Sequence, residues 1–216
     1  MQEGYRGPYM PEEDIARWCS VLFENAAMMG RAASLEDAMG QLARNMALYA
    51  SVDSCVVLVH FRDQYKPVAS SGVEMHTVGQ ITPAGRAADA LEKKEPAFAD
   101  SGDLGLPGTD KYRHTSFLCV PLVSHGKPAG LAVLFSAGKR HEFPPSVLQV
   151  LSIMAIQGAH AIDDFRYKEE LQKRGDELRR VYEIQRRITQ SIDLEEASES
   201  IVENAPYITR LQYCMI

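Results

Sequence analysis

The side chains with the widest chemical reach gather where the chain's regular apolar patterning breaks down, between Gly72 and Ser116. His76, Asp100, Thr109, Arg113, His114 and Ser116 lie in or at the end of this stretch. Its second half, 101–115, is rich in Gly, Asp and Pro and reads as a loop laid over a core, where specialised groups are commonly carried. No nucleophile–base pair or carboxylate dyad stands at a telling spacing, and G-x-S-x-G, H-E-x-x-H, G-x-G-x-x-G and the phosphate-loop pattern are all missing. Cys19, Cys55, Cys119 and Cys214 are far apart and never form a C-x-x-C pair. Three of them sit in apolar patterns, so buried reduced thiols of a cytoplasmic protein are expected, without disulfide or zinc. The chain reads as non-catalytic, with no metal ligands assigned.

Composition narrows the class further. At 216 residues, 45% hydrophobic and 24% charged, the chain can build one sizeable core with extensions. A net charge of −6 argues against a nucleic-acid surface, which would show as a basic stripe. No run approaches a membrane span, and Met-Gln-Glu-Gly-Tyr-Arg at the start has no apolar signal core. The nine methionines, Met28-Met29 among them, read as core and seam filler.

The elements that must position the polar stretch are organised around residues 116–135. Two apolar runs, 117–123 and 129–135, flank a turn at Gly126, the pattern of a β-hairpin with core on both faces. Phe117, Cys119 and Val123 should point one way and Leu118, Val120 and Leu122 the other. Pro121 cannot donate to a ladder and should face a gap, an edge or a bulge. Upstream, Pro11-Glu-Glu-Asp14 opens a helix with a stripe of Ile15, Trp18, Leu22, Ala26 and Met29. Ser34-Leu-Glu-Asp37 caps a second helix to about Tyr49, facing inward through Leu42, Met46 and Tyr49. Cys55–Phe61 reads as a central strand, Gln64–Pro67 as a turn, and Pro67–Ser71 as a weaker strand. Thr82-Pro83 should cap a short helix over Ala84–Lys94, and Pro96–Asp100 a short strand.

Pro144-Pro145 starts another helix, with Leu148, Leu151, Ala155, Ala159, Ile162 and Phe165 inward. Past it, Leu171, Leu178, Val181, Ile188 and Ile192 keep a coiled-coil spacing, and Glu169–Lys173, Glu170–Arg174, Asp176–Arg180 and Glu183–Arg187 are favourable i,i+4 pairs. Such a charged helix with one apolar seam needs a partner, most simply its own copy. Ile15, Leu22, Leu171, Leu178, Val181 and Ile188 are the candidate residues of that homodimer seam. Leu35-Glu-Asp-Ala38 recurs as Leu194-Glu-Glu-Ala197, with Asn45 matching Asn204 and Cys55 matching Cys214, so 193–216 reads as the truncated start of a second copy. The expected layout is an N-terminal helical extension over 1–33, a domain over 34–162, a linking helix over 163–192 and the partial repeat.

These residues together resemble the GAF domain family: Leu35-Glu-Asp-Ala, the strand Cys55-Val-Val-Leu, the hairpin Cys119-Val-Pro-Leu…Gly126…Gly130-Leu-Ala-Val-Leu, and Phe143…Leu148…Leu151 entering an Ala/Ile-rich helix. The resemblance implies an α+β fold: an antiparallel sheet of five to six strands, N- and C-terminal helices on one face, and a small cavity beneath the irregular segment on the other. It implies a sensory domain of a signalling protein, a small-molecule ligand, and a helix relaying to a downstream output domain such as a histidine kinase or cyclase. His76, Asp100, Thr109, Arg113, His114 and Ser116 are then the candidate ligand-binding residues. The cyclic-nucleotide signature Asn-Lys…Phe…Asp-Glu is missing, and no cysteine lies in 72–116 for a bilin or for methionine-sulfoxide chemistry. Haem on His114 is a lesser alternative, and a ligand-free dimerisation and spacing module is the other.

Overall fold

The computed structural model describes residues 12–73, 81–100, 103–104, 106, 115–136, 141–190, 198–199 and 201–205, without the side chains of 12–17 and 188–190. The partial repeat therefore lies mostly outside the described residues; 198–199 and 201–205 are helical. The chain divides into two compact units, Met1–Phe165 and Arg166–Ile216.

In the first unit, the apolar hairpin sets the sheet. β4 (Ser116–Ser124) and β5 (Lys127–Phe135) pair antiparallel around His125-Gly126. β1 (Ser54–Phe61) pairs with β5, β2 (Gln64–Ser71) with β1, and β3 (Ala97–Asp100) with β4, giving the order β2-β1-β5-β4-β3. β2 begins three residues earlier than the sequence reading placed it. The turn is Arg62-Asp63, both in the left-handed region at φ 46° and 65°, which closes a two-residue hairpin and leaves Gln64 opposite Phe61. β3 stops at Ala97, opposite Cys119, so Pro121 lies beyond the end of that ladder. A register shift between Leu122 and Val123 leaves Ala129 of β5 as the extra residue, and Val123 is half-buried, in neither core cluster, rather than under α3 with Phe117 and Cys119.

Both sheet faces are covered. On one lie α1 (Glu12–Arg31), α2 (Leu35–Ala50) and the start of α4 (Pro145–Gln190), meeting Val57, Leu118, Val120, Leu122 and Leu134. Leu151, Ala155, Ala159 and Ile162 of α4 are buried there, as their spacing predicts. Ser34 accepts from the Asp37 amide at 3.1 Å and caps α2, while the Asp37 carboxylate accepts from Ala33 N. The other face carries α3 (Gly85–Lys93) over Leu58, Phe117, Cys119, Leu131, Val133 and Phe135. By length and composition alone, one window of α4 could cross a membrane, a signal the sequence reading did not register. Val150, Leu151, Met154, Ala155, Ala159 and Ile162 are buried against the sheet, whereas Ile153 and Ile156 are exposed.

The α1 stripe differs from the sequence expectation. Ala26 is exposed and Asn25 is fully buried in its place, one turn from Leu22 and Met29. Asn25 Nδ2 donates to Gln157 Oε1 of α4 at 2.7 Å, and Asn45 Nδ2 of α2 donates to Asn25 Oδ1 at 2.9 Å. Gln157 Nε2 donates on to the Leu22 carbonyl at 3.2 Å. Leu22 itself packs into the core of its own unit. The side chain of Ile15, the other seam candidate on this helix, lies outside the described residues.

In the second unit, Glu169–Lys173 and Glu170–Arg174 form the expected ion pairs at 2.9 and 2.5 Å, all four side chains exposed. Gly175 has open space around it.

Two glycines give opposed predictions. A Cβ on Gly130 would meet the Leu58 carbonyl oxygen at 2.5 Å, so Gly130→Ala should lower stability by about 1–3 kcal/mol in urea denaturation. Gly175→Ala meets nothing and should stabilise the helix by about 1 kcal/mol, read as a gain in helical circular dichroism.

Candidate functional site

The face beneath α3 is the candidate site, because it lies between the sheet and the irregular segment. Strand alternation delivers its floor. Phe117 and Cys119 of β4, Leu131, Val133 and Phe135 of β5, and Val56 and Leu58 of β1 all point toward α3. The Phe117 and Phe135 rings pack at 5.0 Å between centres. Ala87, Ala90 and Leu91 of α3 close over them, with Leu104 fully buried from the loop.

Tyr65 and Ile81 finish one edge. Their backbones exchange two hydrogen bonds of 2.8 Å, so the chain entering α3 is stitched to the outer side of β2. The Tyr65 ring stacks on His60, its cross-strand partner, at 5.0 Å, and its side chain packs against the buried cluster. Burial raises the Tyr65 hydroxyl's pKa, so it stays a protonated donor at neutral pH.

The start of α3 is not capped by Thr82, as the sequence reading had it. The cap is Ala84, which offers no side-chain acceptor. Two carbonyls of the overlying loop take its place: Asp103 O accepts from Arg86 N at 2.9 Å and Leu104 O from Ala87 N at 3.2 Å. These amides would otherwise suit an anion. The loop has filled that position itself.

The sequence candidates separate on inspection. Asp100 and Ser116 are brought opposite each other across the β3–β4 ladder. They share the side of the sheet used by Phe98 and Leu118, the latter buried against the α2 and α4 face and the former exposed, with its ring 6.0 Å from that of Phe143. Their alternation thus carries them away from the floor under α3. His76, Thr109, Arg113 and His114 lie outside the described residues. What the sequence reading missed is the apolar part. Leu104 and Leu106, two leucines in an otherwise Gly/Asp/Pro-rich loop, were the available signal.

Chemically, this face offers apolar contact. Among the described residues no charged side chain is fully buried. Burial pushes the Cys119 thiol up to about 12 and raises Cys55, on the opposite face, as well. Both are protonated at neutral pH and poor nucleophiles. Cys19, by contrast, is exposed, against the expectation of burial. Among the described residues no group of three or more His, Cys, Asp and Glu is gathered to hold a metal.

The family profile described as "GAF domain" matches residues 32–163, more than half the chain and the whole of the sheet. The chain belongs to the GAF domain family. Solved structures carry the same fold. The GAF domain from Acinetobacter phosphoenolpyruvate-protein phosphotransferase superposes with a TM-score of 0.62 at 20% identity, covering 73% of this chain and 97% of that one. That of a putative sensor histidine kinase from Pseudomonas syringae pv. tomato gives 0.56 at 16%, covering 75% and 96%. Free methionine-R-sulfoxide reductase from Neisseria meningitidis, solved with its substrate, gives 0.59 at 14%, covering 74% and 96%. No curated protein matches the chain significantly.

Burial at the two strand cysteines predicts their reactivity. In a Cys19→Ser, Cys214→Ser background, the native protein should leave a thiol reagent such as DTNB unreacted over minutes at pH 8. Two equivalents should appear on unfolding in guanidinium.

Proposed function

We propose that this GAF domain is a non-catalytic, cytoplasmic sensory module: it binds a small molecule under α3 and relays its state through paired α4 helices to a downstream output domain. A histidine kinase or a cyclase would suit that output. The observation that carries the relay is the exposure of Leu171, Leu178 and Val181, at 51%, 59% and 41%, among charged neighbours on α4. Apolar side chains seven and three residues apart on a helix otherwise covered in Lys, Arg, Glu and Asp form a narrow seam that gains by burial against a like surface. A second copy of the chain supplies that surface with matched spacing, and its charges flank the seam.

The floor under α3 supports an uncharged ligand. Apolar area there contributes about 25 cal/mol per Å² of contact, whereas a charge would enter with no buried counterion among the described residues. Tyr65 supplies a polar contact at the edge. Membership of a signalling family and likeness to the sensor-kinase domain favour this reading over catalysis.

One observation favours the second reading, a ligand-free dimerisation and spacing module. Phe117 and Leu104 are fully buried between α3 and the sheet, so side chains already occupy much of that interior.

Two measurements test these readings. Replacing Leu178 and Ile188 together with Asp should convert a dimer to a monomer by light scattering; an unchanged mass would place the seam elsewhere. A thermal-shift screen of uncharged metabolites should find a stabilising compound whose effect is abolished by Phe117→Ala. Tight dimerisation with no shift from any compound would favour the spacing module.

A further inference from the structure

The β4–β5 turn carries a feature that neither the sheet nor the α3 face uses. His125 and Gly126 both adopt left-handed backbone, φ 50° and 72°, in a two-residue turn where Asn-Gly is the usual choice. Histidine is tolerated there at a conformational cost. Its ring is held from behind: Ser124, itself buried, lies with Oγ 3.0 Å from His125 Nδ1. Facing it across the gap is His160 of α4, ring centre to ring centre 5.9 Å at a 41° tilt. Both imidazoles are exposed to solvent.

We propose that His125 and His160 form a two-histidine site for an imidazole-seeking divalent transition metal, Zn²⁺, Ni²⁺ or Cu²⁺. The site takes one ion per chain and ties the hairpin turn to α4. Three points support it. An ion about 2.0–2.1 Å from each ring nitrogen holds two ring centres roughly 5–6 Å apart, which the 5.9 Å between these two ring centres matches. The Ser124 contact is of the outer-shell kind that fixes a ligating histidine: with Nδ1–H donating to Ser124 Oγ, Nε2 is the free lone pair. Asp164, four residues past His160 on α4, adds a carboxylate one turn along the same side of the helix. Mg²⁺ and Ca²⁺ are not the expected ions, since they take oxygen ligands. With two protein ligands the remaining coordination positions belong to water or to an external donor, and affinity should be correspondingly modest.

The test uses the full 216-residue chain and the metals alone. Titration calorimetry with Ni²⁺ should find one site, with His125→Ala and His160→Gln each lowering affinity at least tenfold. Paramagnetic resonance of the Cu²⁺ form should show coupling to two nitrogens, reduced by either substitution. His60→Ala and His141→Ala serve as controls and should leave both readouts unchanged, with circular dichroism reporting the fold of every variant. Binding that persists undiminished in either His125→Ala or His160→Gln, or that is lost equally in the controls, overturns the proposal.

Discussion

The architecture depends on how closely α4 approaches the sheet. Gly158 permits it: a Cβ there would stand 2.4 Å from Leu42 Cδ2 of α2 and 3.2 Å from Leu122 Cδ2 of β4. Gly130 does the same between strands, where a Cβ would strike the Leu58 carbonyl of β1. With no side chain at 158, α4 meets α2 through Leu42 and the sheet through Leu122. The same β4 strand sends Phe117 and Cys119 to the α3 side and Leu118, Val120 and Leu122 to the α4 side. The sheet is therefore a single layer with two fully packed surfaces. Close-packed interiors shift in discrete steps rather than compressing, so under the proposed ligand binding a displaced Phe117 would have a short route to the seat of α4.

The helical layer has a polar register of its own. Asn25, Asn45 and Gln157 join α1, α2 and α4 through two amide–amide bonds, and Gln157 closes back on the Leu22 carbonyl. An apolar seam alone tolerates sliding; amides that must find one another do not. Removing any member leaves buried donors or acceptors unpaired, which costs more than the bond itself contributes. This arrangement fixes α1 against the helix that leaves the domain.

Much of this was legible in the residues. Runs apolar at both odd and even positions over 117–123 and 129–135, joined by a short turn at Gly126, read as a strand pair buried on both sides, and Leu151, Ala155, Ala159 and Ile162 as one helical stripe. Ser34 and Asp37 declared their cap. The failures have equally specific causes. Arg62-Asp63 turns by left-handed backbone without glycine, which a scan for Gly or Pro passes over. Thr82 looks like a cap, but the cap falls two residues later, at Ala84, and the first amides of the helix, of Arg86 and Ala87, go to the Asp103 and Leu104 carbonyls, distant in sequence. Asn25 broke an apolar pattern because its partners lie on two other helices. Asp100 and Ser116 were drawn to the site by position along the chain, whereas the pleat decides which face a strand residue serves.

Pairing of α4 with its own copy is the step on which the proposed relay rests. A single-cysteine scan of 171–183 in a Cys19→Ser, Cys214→Ser background measures it directly, by disulfide formation under mild oxidation. Cross-linking should peak at 171, 174, 178 and 181 and fall away at 176, 179 and 183. A flat profile, or peaks at 176, 179 and 183, would contradict the account.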